Sequence, residues 1–381
     1  MEFLVNDLLK NNKVDDNPKS TPLKAHKPEL SRTQDIDVEL EELLSKKQAT
    51  IKVVGVGGAG CNTLIRMSEV GIKGTELIAV NTDAQDLLCV VSDKKVLIGK
   101  ELTGGLGAGA DPQVGCEAAK ESESDLKESL QGADMVFVTC GLGGGTGTGA
   151  APVVAEIAKK LGALTVGVVT LPFTIEGKTR TEHAIEGLER LQDNVDTLIV
   201  IPNDKLLEIA NDLPLHTAFK VADEVLTNAV KGIAELVTKT GLINLDFADI
   251  KTVMKHGGVA MIGMGESDTD NRAVDAVEKA ISNPLLDVDI SGATGALVNV
   301  MGGSSMTLDE AKQVVEAISD KLDENADVIW GASIENDMKE SLRAMVVVTG
   351  VKSPQIFSKE KTVKKQRKSS MENDLGIEFL D

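Results

Sequence analysis

The ten residues Gly141 to Ala150, GLGGGTGTGA, constrain this chain more than any other stretch. They follow the apolar run Met135 to Cys140 and lead into Ala151-Pro152-Val153-Val154-Ala155-Glu156-Ile157, so the order is strand, glycine turn, helix. Lacking side chains at Gly143, Gly144, Gly145, Gly147 and Gly149, the backbone is expected to take left-handed angles and turn its N–H groups around an anion. Pro152 is expected in the first turn of the helix, whose dipole adds partial positive charge at the same place. Such a loop is a phosphate cradle. A flexible linker has no reason to sit between a buried strand and a helix.

Two further glycine loops follow strands. Ile51 to Val56 precedes Gly55, Gly57 and Gly60, a GxGxxG ahead of Asn62, and Val96 to Ile98 precedes Thr103 to Gly109. Between them, strand Glu76 to Val80 ends in Asn81-Thr82-Asp83-Ala84, short polar groups at the carboxyl end of a strand. Alone, the first triplet reads as a dinucleotide fingerprint with Asp83 as its ribose acid, and Asn81 or Asp83 alone reads equally well as a helix cap. Three loops together point to one ligand with several phosphates. Strands at 164–170 and 197–201 continue a strand–helix alternation, which implies a parallel, right-handed sheet from about 50 to 216.

From Thr217 to Lys239 an apolar stripe of Phe219, Ala222, Leu226, Ala229, Ile233 and Leu236 predicts one long helix, roughly 34 Å at 1.5 Å per residue. Residues 240–351 then carry strands at 259–264, 296–301, 328–332 and 345–351, with helices near 269–282 and 307–321, a second α+β domain. Residues 1–49 read as a disordered extension with a short amphipathic helix from Ile36 to Leu44. Residues 352–381 read as a flexible basic linker ending in a docking peptide, with Leu375, Ile377, Phe379 and Leu380 as its apolar residues.

Composition narrows the function. The formal charge of −20 repels nucleic acid, so any polyanion must be held locally by amides and a metal ion. No run is apolar and long enough to span a membrane, and Met1 to Lys10 lacks the basic flank of a secretory signal; a cytoplasmic protein without direct membrane insertion is expected. Cys61, Cys89, Cys116 and Cys140 show no paired spacing and read as reduced apolar residues.

The central loop matches the GGGTGTG signature of the tubulin-like GTPases, and Asn244-Leu245-Asp246-Phe247-Ala248-Asp249 after the long helix matches the NxDxxD loop of FtsZ, their cell-division branch. Over residues 50–351 the chain resembles an archaeal FtsZ. The resemblance implies a tubulin/FtsZ-like α/β fold, in which a long central helix joins the parallel-sheet GTP-binding domain to a smaller α+β domain. It also implies an assembly-activated GTPase that polymerises head-to-tail and forms the mid-cell division ring. By it, Gly57, Gly58, Gly60, Asn62, Thr82, Asp83, Ala84, Gly107, Ala108, Gly109, Gly141, Gly143, Gly144, Gly145, Thr146, Gly147, Thr148 and Gly149 surround the phosphates. Glu176 and Arg180 contact sugar and phosphate; Asn203, Phe219 and Asp223 form the guanine pocket. Asn244, Asp246 and Asp249 act on the neighbouring subunit's GTP. The cofactors implied are GTP or GDP and Mg²⁺, the ion held through the phosphates. The partners implied are further copies of the chain and a SepF-like membrane-anchoring adaptor at Asp374 to Asp381, although this terminus lacks the proline-centred peptide of bacterial members.

Two other readings stay open on the residues themselves. A nicotinamide-dependent oxidoreductase explains Gly55, Gly57 and Gly60 but leaves 103–109 and 141–149 unused. A nucleotide-dependent scaffold without turnover has no need of both Asp246 and Asp249.

Overall fold

The computed structural model describes residues 49–72, 74–205, 215–238, 243, 246–255, 257–282, 290, 293–323, 325–335 and 338–351, with 215–219 described by backbone alone. The expected helix at 36–44, the Phe219 side chain, Asn244 and the tail from 352 lie outside the described residues.

Six strands form the amino-terminal half of one sheet: β1 Ile51–Val56, β2 Thr75–Asn81, β3 Lys94–Leu97, β4 Met135–Gly141, β5 Leu164–Leu171 and β6 Thr197–Pro202. All pair in parallel, in the order β3-β2-β1-β4-β5-β6. Their near-continuous apolar sequences reflect helices on both faces. Ile51 and Val53 of β1 and Met135 and Phe137 of β4 point into one core. Val54 and Val56, with Val136, Val138 and Cys140, point into the other. The two-residue period of a strand thus divides each sequence between two layers.

Helix α1 (Gly57–Val70) packs on the first layer, and α2 (Ala84–Cys89) caps the end of β2. After the short α3 (Lys100–Thr103), helices α4 (Pro112–Glu121), α5 (Glu123–Leu130), α6 (Thr146–Lys160) and α7 (Lys178–Asn194) cover the second layer. Helix α8 (Leu215–Thr238) is the long helix the stripe predicts; its Ala222, Leu226, Val230 and Ile233 are buried against the first core. Each large aliphatic side chain removed from water there is worth about 1.5–3 kcal/mol.

Helix α9 (Phe247–Met254) precedes β7 (Gly258–Ser267), α10 (Arg272–Ile281), β8 (Gly295–Gly302), α11 (Leu308–Ser319), β9 (Asp327–Ile334) and β10 (Leu342–Thr349). These strands extend the same sheet instead of making a separate one. Thr197, Leu198 and Ile199 of β6 pair in parallel with Gly258, Val259 and Ala260 of β7, and the order continues β7-β10-β8-β9. β10 runs antiparallel to both neighbours. Helices α10 and α11 cover one face, while Ile262, Leu297, Met345 and Val347 on the other share the core beneath α8.

Candidate functional site

The sheet order reverses between β1 and β4, and ligands of such sheets bind beyond the carboxyl ends of the strands at that point. A cavity of about 290 Å³ lies there, lined by Val56 after β1, Gly141 to Gly147 after β4, Thr170 and Pro172 after β5, and Asn203 after β6. Ala222 and Asp223 of α8 close one side, and Glu176 and Arg180 another.

The glycine signature folds differently from its expected form. Helix α6 begins at Thr146, inside the signature, so Gly147 and Gly149 are helical and Pro152 lies within the helix instead of in its first turn. Of the signature glycines only Gly143 takes a left-handed angle, φ +103°, where a Cβ would meet the Arg180 carbonyl oxygen at 2.9 Å. The others are required by close approach. A Cβ on Gly147 would lie 2.8 Å from the Gly141 carbonyl, and one on Gly149 1.9 Å from the Pro112 carbonyl of α4. The motif therefore seats a helix N-terminus flush against β4 and α4, and the unpaired N–H groups of its first turn face the cavity. Within the loop the Thr148 hydroxyl accepts from Gly143 N–H at 2.8 Å.

The other loops assemble around this one. The Thr82 and Thr146 hydroxyls share a hydrogen bond of 2.7 Å. Gly107 N–H donates to the Thr82 carbonyl, Ala84 N–H to that of Gly105. Asp83 caps α2, accepting from Gln85 and Asp86 N–H at 2.8 and 3.2 Å, so its carboxylate holds the loop and does not line the cavity. Gly57, Gly60, Asn62, Ala84, Gly107, Ala108, Gly109, Gly143, Thr148 and Gly149 also stand back from the cavity lining. Asn62 is exposed, and a Cβ on Gly60 would strike the Thr139 carbonyl, so that glycine serves the packing of α1 on the sheet. Gly58, Gly141, Gly144, Gly145, Thr146, Gly147, Glu176, Arg180, Asn203 and Asp223 line it. Leu142, inside the 141–149 loop expected there, also lines it, as do Val56, Ala59, Thr170, Pro172 and Ala222, which the sequence did not point to. Val56, Thr170 and Pro172 are groups at strand ends whose only signal is that position, while Ala59 and Ala222 read as helix packing.

Arg180 is the sole cationic side chain among the described lining residues, and it is ion-paired with Glu176. Anionic charge must then be met chiefly by backbone. At the α8 side, Asn203 is buried with its Oδ1 lacking a hydrogen-bond partner, an acceptor held ready for a ligand donor. Beside it, burial pushes the Asp223 carboxyl up to about 6 against the opposing pull of the Thr63 hydroxyl and the Arg66 guanidinium. Two acceptors at one end and amide donors at the other suit a base bearing N–H groups joined to a phosphate chain.

Asp246 and Asp249 are elsewhere. Both are exposed at the start of α9, outside this cavity. Asp246 occupies the cap position of that helix, yet its side chain makes no capping bond. The four cysteines are free; Cys61 and Cys140 are buried, Cys116 is half-buried and Cys89 is exposed. No described helix is long and apolar enough to cross a membrane.

A parallel sheet with a glycine-signature helix at its switch point, joined by a long helix to a mixed lobe, is the architecture of the tubulin class of GTPases. The tubulin/FtsZ family GTPase domain matches residues 50–211, and the FtsZ family C-terminal domain matches residues 258–352. The chain is 62% identical over 336 residues to cell division protein FtsZ 1 of Thermococcus kodakarensis, covering 88% of this chain and 90% of that one. It is 52% identical to FtsZ of Methanothermobacter thermautotrophicus, over all of this chain and 99% of that one. A solved FtsZ dimer from M. jannaschii superimposes with a TM-score of 0.80 at 60% identity, covering 83% of this chain and 92% of that chain. The chain belongs to the FtsZ family of tubulin-like, GTP-hydrolysing cell-division proteins. The nicotinamide-dependent reading is not favoured.

Proposed function

We propose that the chain hydrolyses GTP between successive copies of itself in a head-to-tail filament, and that these filaments build the division ring at mid-cell. The observation that carries this reading is a separation. The anion-binding backbone lies in one cavity, while Asp246 and Asp249 are exposed outside it, with no side-chain hydrogen bond or ion pair among the described residues. Of the two acids lining the cavity among the described residues, Asp223 lies on the α8 side and Glu176 is already engaged by Arg180 and by Phe173 N–H at 2.8 Å. In this reading the acid that the lining lacks comes from a neighbouring copy.

In this reading Asn203, Asp223 and Phe219 hold guanine, the 141–149 loop with Gly58 beside it holds the phosphates, and the 103–109 loop supports them from behind through its backbone bonds to Thr82 and Ala84. Asn244, Asp246 and Asp249 of the next copy orient and polarise the attacking water, the part of a general base. Contact between two different surfaces of one chain does not close, so it propagates as a filament. Among the described residues no three His, Cys, Asp or Glu are grouped to hold a metal. Mg²⁺ would be held through the phosphate oxygens, and the hydrogen-bonded Thr82 and Thr146 hydroxyls would be the nearby protein oxygens of the type it prefers. It would supply neutralisation of phosphate charge. Asp374 to Asp381 is the docking segment for a SepF-like adaptor; its deletion should abolish capture of that adaptor and leave turnover intact.

The test is phosphate release from GTP with Mg²⁺ as protein concentration rises, with light scattering in parallel. Specific activity should be near zero below a threshold and climb with scattering above it. Asp249→Ala should retain GTP binding and lose turnover by about 100-fold or more. Specific activity independent of concentration would place the whole reaction within one chain and remove the roles given to Asp246 and Asp249.

A further inference from the structure

The ten-stranded sheet has two edges, and they are built differently. β3 is four residues long with Lys94 and Lys95 exposed, the length and charge that keep other strands away. β9 runs eight residues, DVIWGASI, without Lys, Arg or Pro. At Ala332 this edge already takes an added residue: Ile243 N–H donates to the Ala332 carbonyl at 3.3 Å, and Ala332 N–H donates back at 3.4 Å. Alternate residues of a strand direct their backbone groups the same way, so Val328 and Trp330 also present N–H and C=O outward. Neither has a partner for them among the described residues. The side chains agree. Val328, Ile329 and Trp330 are half-buried, whereas their neighbours in register on β8, Ala296, Leu297 and Val298, are wholly buried.

We propose that the chain's own terminus, Leu375 to Phe379, adds to this edge as an eleventh strand along Asp327 to Gly331. Position supports that occupant. Thr349 at the end of β10 pairs with Gly295, and Gly295 with Asp327, so the chain leaves the sheet about 10 Å, two strand spacings, from the open end of the edge. Thirty residues follow Val351. A random coil of 22 residues, the length from 352 to 373, has an r.m.s. span of about 25 Å, so the distance to the edge is within the reach of a linker of that length. Pattern supports it too. Leu375, Ile377 and Phe379 alternate with Gly376 and Glu378, the period of a strand with one apolar face, and the segment contains no proline. A terminus seated on β9 is withheld from any partner that reads the same residues, so such a partner must displace it.

Trp330 is the only tryptophan in the sequence and stands on the edge in question. Full-length protein without nucleotide would be compared with the full-length double variant Ile377→Asp, Phe379→Asp. In the unaltered chain Trp330 emission should be blue-shifted and resist iodide, and the Val328 and Trp330 amides should exchange at least about tenfold more slowly. The double variant should lose all three, and protection in the unaltered chain should not change on dilution. Equal quenching and exchange in the two chains would overturn the proposal. Protection that persists in the variant would assign the edge to another segment, and protection that fades on dilution would assign it to a second copy; either result also overturns it.

Discussion

Asp223 is a half-buried carboxyl facing a ligand cavity, and its titration should be visible in binding. Guanine offers two N–H donors on one edge, and only an ionised carboxylate accepts both. With the group pushed up to about 6, GTP affinity should fall as pH drops through that value, by up to tenfold per pH unit below it. Titration with a fluorescent GTP analogue between pH 5 and 8 measures this, and Asp223→Asn should weaken binding and flatten the profile. Stability without nucleotide runs the other way. The folded value lies above the ordinary 3.8, so protonation favours the folded state, and stability rises as pH falls from about 6 toward 4. Gly149 makes a different demand. A methyl 1.9 Å from the Pro112 carbonyl must push α4 and α6 apart, so Gly149→Ala should destabilise by about 2–3 kcal/mol in denaturant unfolding. Both residues were visible in the sequence, but their work was not equally visible. A glycine needed for a left-handed turn and one needed for helix contact are the same letter, and what Gly149 touches is the Pro112 carbonyl, 37 residues earlier. Asp83 is legible as either cap or ligand contact, and its Oδ1, accepting from two amides of α2, shows the cap.

Elements were legible where one face or one run dominates. Strand β4, buried through its first six residues, and α8, with a stripe along its length, both stand out in the sequence. Helices α4 and α5 do not, because α4 buries only Gly115, Ala118 and Ala119, and ESDLKESL of α5 offers only two buried leucines among charges. The joint between β6 and β7 leaves no local trace at all, since it pairs residues about sixty positions apart. The packing of α10 on α11 is a similar long-range arrangement and turns on one side chain. Arg272, 8% exposed, donates to Glu310 at 2.6 and 3.1 Å and to the Ser305 carbonyl, while Glu310 also completes the capping box of α11 with Thr307. The guanidinium holds the Glu310 carboxyl down at about 2. A depressed carboxyl contributes stability that is present above its ordinary 4.5 and lost as pH falls toward 2. Arg272→Met should destabilise the protein by about 2 kcal/mol at neutral pH and flatten the acid limb of its stability between pH 4.5 and 2, read by urea unfolding.

At the scale of the whole molecule the sequence made the charge plain and left its consequence to the assembly. Each chain carries a formal −20, and the proposed filament would stack such chains at contact distance. Long-range repulsion between subunits then opposes addition, while the contact itself is short-ranged and local. Salt separates the two. Raising ionic strength from about 0.01 to 0.15 M shortens the Debye length from about 30 to about 8 Å, which removes most of the repulsion between exposed charges more than a contact away. The concentration at which scattering and GTP turnover begin should therefore fall as KCl is raised over that range at fixed Mg²⁺ and pH. A threshold that rises instead would mean that complementary charges at the contact itself, such as the exposed Asp246 and Asp249 against a basic partner surface, outweigh the net repulsion. Neutralising those acids should then abolish the salt dependence, whereas under net repulsion the Asp246→Asn, Asp249→Asn chain, two charges less negative, should keep its direction and assemble at a slightly lower threshold.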